Sequence, residues 1–206
     1  MKKVIFIVLA LGLSISGESQ DTSKEFYNNA IKMGVFQLFD GGLEFNYERR
    51  ISENTSCMIG GEFYSNKKSS GDVQSYSGEL QYRYYLISPK DLGFKNSAIG
   101  GVYVCPSIMF RHWVVSNYNT VYDYVSRQNE QQLNGYDYIN NLSCSFIMGV
   151  KFNILERVTA DFSFGGGTKF SSITDNGPKN TYNTNIYSIG YTGIAPTANF
   201  TVGFNF

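Results

Sequence analysis

From residue 43 to residue 48 the chain alternates without a slip: Leu43, Phe45 and Tyr47 fall on one side, Glu44, Asn46 and Glu48 on the other, followed by Arg50 on that same polar side. A period of two is the repeat of an extended strand, whose successive side chains leave opposite faces. One such segment fits any β protein. Eight can be placed here, at 30–39, 43–51, 56–65, 73–87, 98–115, 136–155, 158–170 and 186–206. Clusters of Gly, Asn, Asp and Ser separate them, the signal of strands joined by turns. The first sets Ile31, Met33 and Val35 against Lys32 and Gly34, and Asp40-Gly41-Gly42 predicts a tight turn after it. In the fourth, Leu80, Tyr82, Tyr84 and Leu86 alternate with Glu79, Gln81, Arg83 and Tyr85. In the sixth, Leu142, Cys144, Phe146, Met148, Val150, Phe152 and Ile154 oppose Ser143, Ser145, Lys151 and Asn153. Pro106 lies inside the fifth and cannot donate a ladder hydrogen bond, so a bulge or local break is expected there; the eighth is expected to bend or break near Pro196.

The two ends add a cellular address. Lys2 and Lys3 precede ten apolar residues, Val4 to Leu13, and Ser14-Ile15-Ser16 fits a small-x-small cleavage signal. Residues 1–16 read as a cleaved signal peptide, 17–29 as an N-terminal segment and 30–206 as a single domain. No later stretch approaches the ~20 continuous apolar residues of a membrane helix, and a barrel needs none, because its spanning segments are half polar. The final residues, Phe200-Thr201-Val202-Gly203-Phe204-Asn205-Phe206, alternate and stop on an aromatic. An export leader together with a last strand ending on an aromatic is the pairing expected of a bacterial outer-membrane β-barrel. Phe206 then serves as the assembly signal, and the barrel-assembly machinery is an expected partner through this strand.

Composition agrees, with 16 Tyr, 16 Phe and 21 Gly against 17% charged residues. Lys+Arg and Asp+Glu are equal at 17 each, so no basic surplus points to nucleic acid. The three cysteines, Cys57, Cys105 and Cys144, all fall in strands, and an odd count argues against a disulfide framework.

In lipid every backbone polar group must pair within the protein, so a spanning sheet has to close. An Arg or Lys on the lipid face costs ~2–4 kcal/mol at the midplane, which sends strand charges to the lumen. That assigns Lys32, Glu44, Glu48, Arg50, Glu62, Glu79, Arg83, Arg111, Lys151, Asp161 and Lys169 to an interior charge network, six basic and five acidic. Leu43, Phe45, Leu80, Phe110, Phe146, Val150, Phe162, Phe164, Phe200, Val202 and Phe204 are assigned to the lipid face. Eight strands enclose a space that side chains fill, so these charges are expected to form a salt-bridged plug. The fold expected is all-β: an eight-stranded antiparallel up-and-down transmembrane barrel with a polar, salt-bridged interior. Tyr47, Tyr82 and Tyr84 are placed at the periplasmic interface, where amphipathic rings anchor. The polar stretches 116–135 and 171–185 follow outward-running strands and read as extracellular loops.

The segment Leu43-x-Phe45-x-Tyr47-Glu48-Arg49-Arg50-Ile51 and the strand Gly78-Glu79-Leu80-Gln81-Tyr82-Arg83-Tyr84-Tyr85-Leu86 resemble the recurring hairpin and Tyr-Arg-Tyr-Tyr strand of small outer-membrane barrels common in Bacteroidetes, often described as OmpX-like or OmpA-barrel-like. The resemblance implies an eight-stranded outer-membrane barrel with no established activity and carries over no catalytic residue.

The chemistry-bearing residues point the same way. Lipid A deacylase barrels place a His and a Ser two residues apart on one strand face, whereas His112 and Ser116 are four apart, roughly 13 Å, too far for a nucleophile–base hydrogen bond. His112 reads instead as an interfacial girdle residue. A single His and dispersed Cys give no metal-ligand spacing. Gly165-Gly166-Gly167 lies within a strand with no helix after it, so close packing explains it better than phosphate binding. No enzyme, cofactor or metal is expected. Three roles fit: a monomeric structural or surface-interaction barrel contacting outer-membrane lipid and lipopolysaccharide; a narrow channel or carrier for small hydrophobic molecules; or a soluble secreted ligand-binding barrel, which requires an apolar interior and charged exterior.

Overall fold

The computed structural model describes residues 27–68, 71–87, 100–123, 128–155, 157–174, 186 and 188–206. The proposed leader and most of the N-terminal segment, the turn at 88–97 and residues 175–185 of the last polar stretch lie outside them. Eight strands form one antiparallel ring: β1 (Asn29–Gly34), β2 (Gly42–Ser52), β3 (Thr55–Lys68), β4 (Gly71–Ile87), β5 (Gly101–Asp123), β6 (Gln128–Asn153), β7 (Val158–Thr174) and β8 (Gly193–Asn205). Each strand pairs with its chain neighbours, and β1 closes the ring on β8 through Ile31↔Phe204 and Met33↔Val202. Closure leaves the wall of the ring without an edge strand.

The strands are staggered. Stepping across the pairs from Ile31 leads through Tyr47, Ile59, Leu80, Ile108, Cys144 and Thr168 to Ile194. Ile31 itself pairs with Phe204, ten residues further along β8 than Ile194. This offset is the tilt that a closed sheet requires.

Charge and burial follow the pleat. On β2, Glu44, Asn46 and Glu48 are buried while Leu43, Phe45 and Tyr47 are exposed, although their polarity predicts the reverse for a protein in water. The outer wall carries Leu43, Phe45, Leu80, Phe110, Phe146, Val150, Phe162 and Phe164, all exposed. Phe200, Val202 and Phe204 share the outward parity but are half-buried, Phe200 because it stacks on Phe162 at 4.2 Å and meets Phe36 at 6.0 Å.

Three sequence expectations change and one holds. β1 stops at Gly34 and gives way to a six-residue helix, α1 (Val35–Asp40), in place of a strand running to 39. Gly41, at φ 92°, ends α1 in the left-handed conformation, its N–H bonded to Gln37 O. Residues 116–135 are largely strand: beyond Val115 and Tyr138 no pairing to β4 or β7 continues among the described residues, and β5 and β6 pair with each other as a two-stranded ribbon. At Pro106 the expected local break is present in place of a bulge: the β4–β5 register is the same on both sides while the pairs opposite Arg83 and Tyr82 drop out, as the missing N–H requires. β8 begins at Gly193 and passes Pro196 in register with Gly166, without a break.

Candidate functional site

The lumen has two storeys. In the lower one, near the β2–β3 turn, inward side chains from β1, β2, β4, β6 and β7 converge. Lys32 Nζ lies 2.5 Å from both Glu48 Oε2 and Asp161 Oδ2. Arg83 Nη1 lies 2.6 Å from Asp161 and 3.5 Å from Glu48, and Lys151 Nζ 3.2 Å from Glu48. Tyr85 and Ser56 donate to Glu48 Oε1 at 2.6 and 2.5 Å, and Tyr103 donates to Asp161 Oδ1 at 2.7 Å. Arg83 also donates twice to Gln81 Oε1 and lies over the Tyr103 ring at 4.4 Å. Every ionic member is 3% exposed or less. Buried charges cost several kcal/mol each to desolvate, a cost that close, fully hydrogen-bonded pairing offsets. Here three cations share two carboxylates, and the set closes the bore.

Small residues make room for these long side chains. A Cβ on Gly149 would strike the Tyr103 ring. In Gly165-Gly166-Gly167, a Cβ on Gly165 or Gly167 would collide with β6 backbone at Phe146 and Cys144. The run therefore allows two strands to approach closely.

Above the seal is a cup of about 520 Å³. Glu44, Glu62 and Glu79 line it from β2, β3 and β4; Arg111 and Lys169 line it from β5 and β7. Glu44 and Glu62 face each other directly in the β2–β3 register, an arrangement that costs energy unless a cation intervenes. Arg111 supplies one, forming an ion pair with Glu62. Glu44 accepts from the amides of Asn46 and Asn199, at 2.5 and 2.9 Å, and Glu79 from Gln81 and Ser107, at 2.8 and 2.5 Å. Neither has a cationic partner among the described residues. Lys169 donates to Ser188 O at 3.2 Å and has no carboxylate partner among the described residues. The stretch approaching β8 folds over this rim: Asn141 Nδ2 donates to Ile189 O at 2.9 Å and Ser171 Oγ to Tyr191 O at 2.7 Å.

The charges assigned to one network thus fall into two groups. Lys32, Glu48, Arg83, Lys151 and Asp161 form the seal, and Glu44, Glu62, Glu79, Arg111 and Lys169 surround the cup. Arg50 joins neither: its guanidinium donates to Ser52 O at 2.8 Å and Glu53 O at 3.1 Å, because its strand ends there and turn carbonyls are nearer than the bore. Sequence reasoning missed Tyr103, an aromatic on the inward face, and Asp137, fully buried on the inward face of β6. The parity of Val102 and Val104 could have placed the first; the second lies at the start of the strand expected over 136–155, where the parity of Ser143, Ser145 and Lys151 could have placed it. His112 sits between the Tyr76 and Tyr138 rings at 5.0 and 6.0 Å, its Nδ1 2.6 Å from Asn140 Oδ1. Cys57, Cys105 and Cys144 are free thiols.

No family model matches the sequence, and no curated protein matches it. Among solved structures the chain is similar to the N-terminal β-barrel domain of Pseudomonas aeruginosa OprF, at 16% identity over 88% of this chain and 98% of that one, with a TM-score of 0.38. It is also similar to Acinetobacter baumannii CarO2, at 10% identity over 87% of this chain and 98% of that one, with a TM-score of 0.42. The eight-stranded architecture rests on the pairing and closure of the chain itself.

Proposed function

We propose that this chain is an outer-membrane barrel with a structural or surface-interaction role, exported through the N-terminal leader and folded as a monomer. The observation that carries the reading is the inverted wall: ionic side chains enclosed, Phe, Leu, Ile and Tyr exposed around the ring. An apolar surface this extensive is unfavourable in water and suits contact with acyl chains. The soluble-barrel alternative needs the opposite arrangement. The motif resemblance to small Bacteroidetes barrels supports the same reading. On it, α1 and the β5–β6 ribbon stand at the external end, where they meet lipopolysaccharide and neighbouring surfaces, and Phe206 serves assembly. The seal argues against a channel, since ions crossing the bore would have to displace the Lys32–Glu48–Asp161–Arg83 cluster.

Membrane fractionation and gel mobility test this reading together. The chain is expected in the detergent-extracted outer-membrane fraction, with different mobility before and after boiling. Recovery without detergent, at one mobility, would reject it.

A further inference from the structure

The cup is bipolar in a way that the wall does not require. On its β2–β4 side two carboxylates, Glu44 and Glu79, accept only from neutral groups among the described residues. On the β7 side Lys169 meets only a carbonyl among the described residues. Most of the unused hydrogen-bonding capacity divides similarly. Gln37 Oε1 is a buried acceptor without a partner among the described residues, on α1 next to β2; Arg111 Nε and Trp113 Nε1 are buried donors without one, on β5. The exception is Asn141 on β6, opposite Arg111, only 3% exposed and lining the cup, whose Oδ1 is an acceptor unpartnered among the described residues. Buried polar atoms are normally satisfied, and leaving several open around one cavity is costly unless something else fills them.

We infer that the cup binds a small zwitterion, its ammonium against Glu44 and Glu79 and its carboxylate against Lys169 and the Arg111–Trp113 side. A purely cationic solute would leave the β5 and β7 donors unanswered, and an anionic one would meet two uncompensated carboxylates. The volume of about 520 Å³ falls in the ~300–1,000 Å³ range of small-molecule sites. Because the seal lies beneath, the cup is a receptacle, with capture from the mouth side. This goes beyond the membrane-barrel reading and rests on it.

Trp113, the single tryptophan, lines the cup and reports on it directly. The full chain, folded in detergent, is titrated with 5-aminopentanoate, n-pentylamine and pentanoate, following Trp113 fluorescence and heat by calorimetry, with empty micelles as blank. Saturable binding of 5-aminopentanoate is expected, with each single-charge analogue weaker by about tenfold or more, since each loses one charged hydrogen-bond set. The double variant Glu44→Gln, Glu79→Gln should weaken 5-aminopentanoate and pentylamine but not pentanoate; Lys169→Met should weaken 5-aminopentanoate and pentanoate but not pentylamine. Heat-dependent mobility shows that each variant is folded. Pentylamine binding as tightly as 5-aminopentanoate, or no saturable binding by a folded barrel, would overturn the inference and leave the membrane reading intact. A chain that is soluble without detergent would overturn both.

Discussion

At the scale of single residues, the account turns on Glu48. Its carboxylate takes contacts from Lys32, Arg83 and Lys151 and hydrogen bonds from Ser56 and Tyr85, all buried. Glu48→Ala strands these cations with Asp161 as the one remaining carboxylate of the cluster, a loss of ~3–5 kcal/mol. The temperature at which the compact gel band converts to the unfolded one should drop markedly; no change would show that the cluster is not closed. Arg50→Ala, by contrast, removes contacts to turn carbonyls and should shift stability by about 0.5 kcal/mol or less. The inward face of Glu48 was legible because Leu43, Phe45 and Tyr47 alternate around it. The division of the charges into a seal and a cup was not, since parity gives a side chain its face and not its height. Tyr103 escaped for a related reason: an aromatic on a strand reads as outward, and its inward role depends on Gly149 across the β5–β6 pair.

At the scale of elements, the long β5 and β6 divide into wall and ribbon. Among the described residues the ribbon pairs only within itself, so replacing residues 118–133 by a two-residue Asn-Gly turn should leave the barrel closed. Retained heat-dependent mobility would agree; an aggregated product would mean that the ribbon holds the wall together. Gly149→Leu tests the wall itself: overpacking against Tyr103 should cost ~1–3 kcal/mol, read in the same thermal assay. The strands of the wall were readable from their period of two. The ribbon was not, because Asn, Gln, Ser and Thr over 116–135 carry no apolar alternation; there, backbone pairing outweighs the loop-like composition. α1 was missed because Val35, Phe36, Leu38 and Phe39 suit a short helix as well as a strand, and Gly41 decides by ending the helix with positive φ.

At the scale of the whole molecule, a sealed bore and an apolar exterior make separate predictions. Reconstituted in planar bilayers, the chain should show no steady conductance, and discrete open levels would mean that the seal yields. The exterior is the more basic of the two, and polarity of position can be read directly by fluorescence in vesicles whose acyl chains carry bromine. In the native chain, Trp113 lies on the inward face beneath Arg111, which sits 5.4 Å over its ring, and its emission should be nearly insensitive to brominated lipid. In a chain carrying Trp113→Phe and Phe146→Trp, the reporter takes an exposed position on the wall, and strong quenching is predicted. Quenching of the native chain together with a spared Phe146→Trp reporter would mean that the sheet faces the other way.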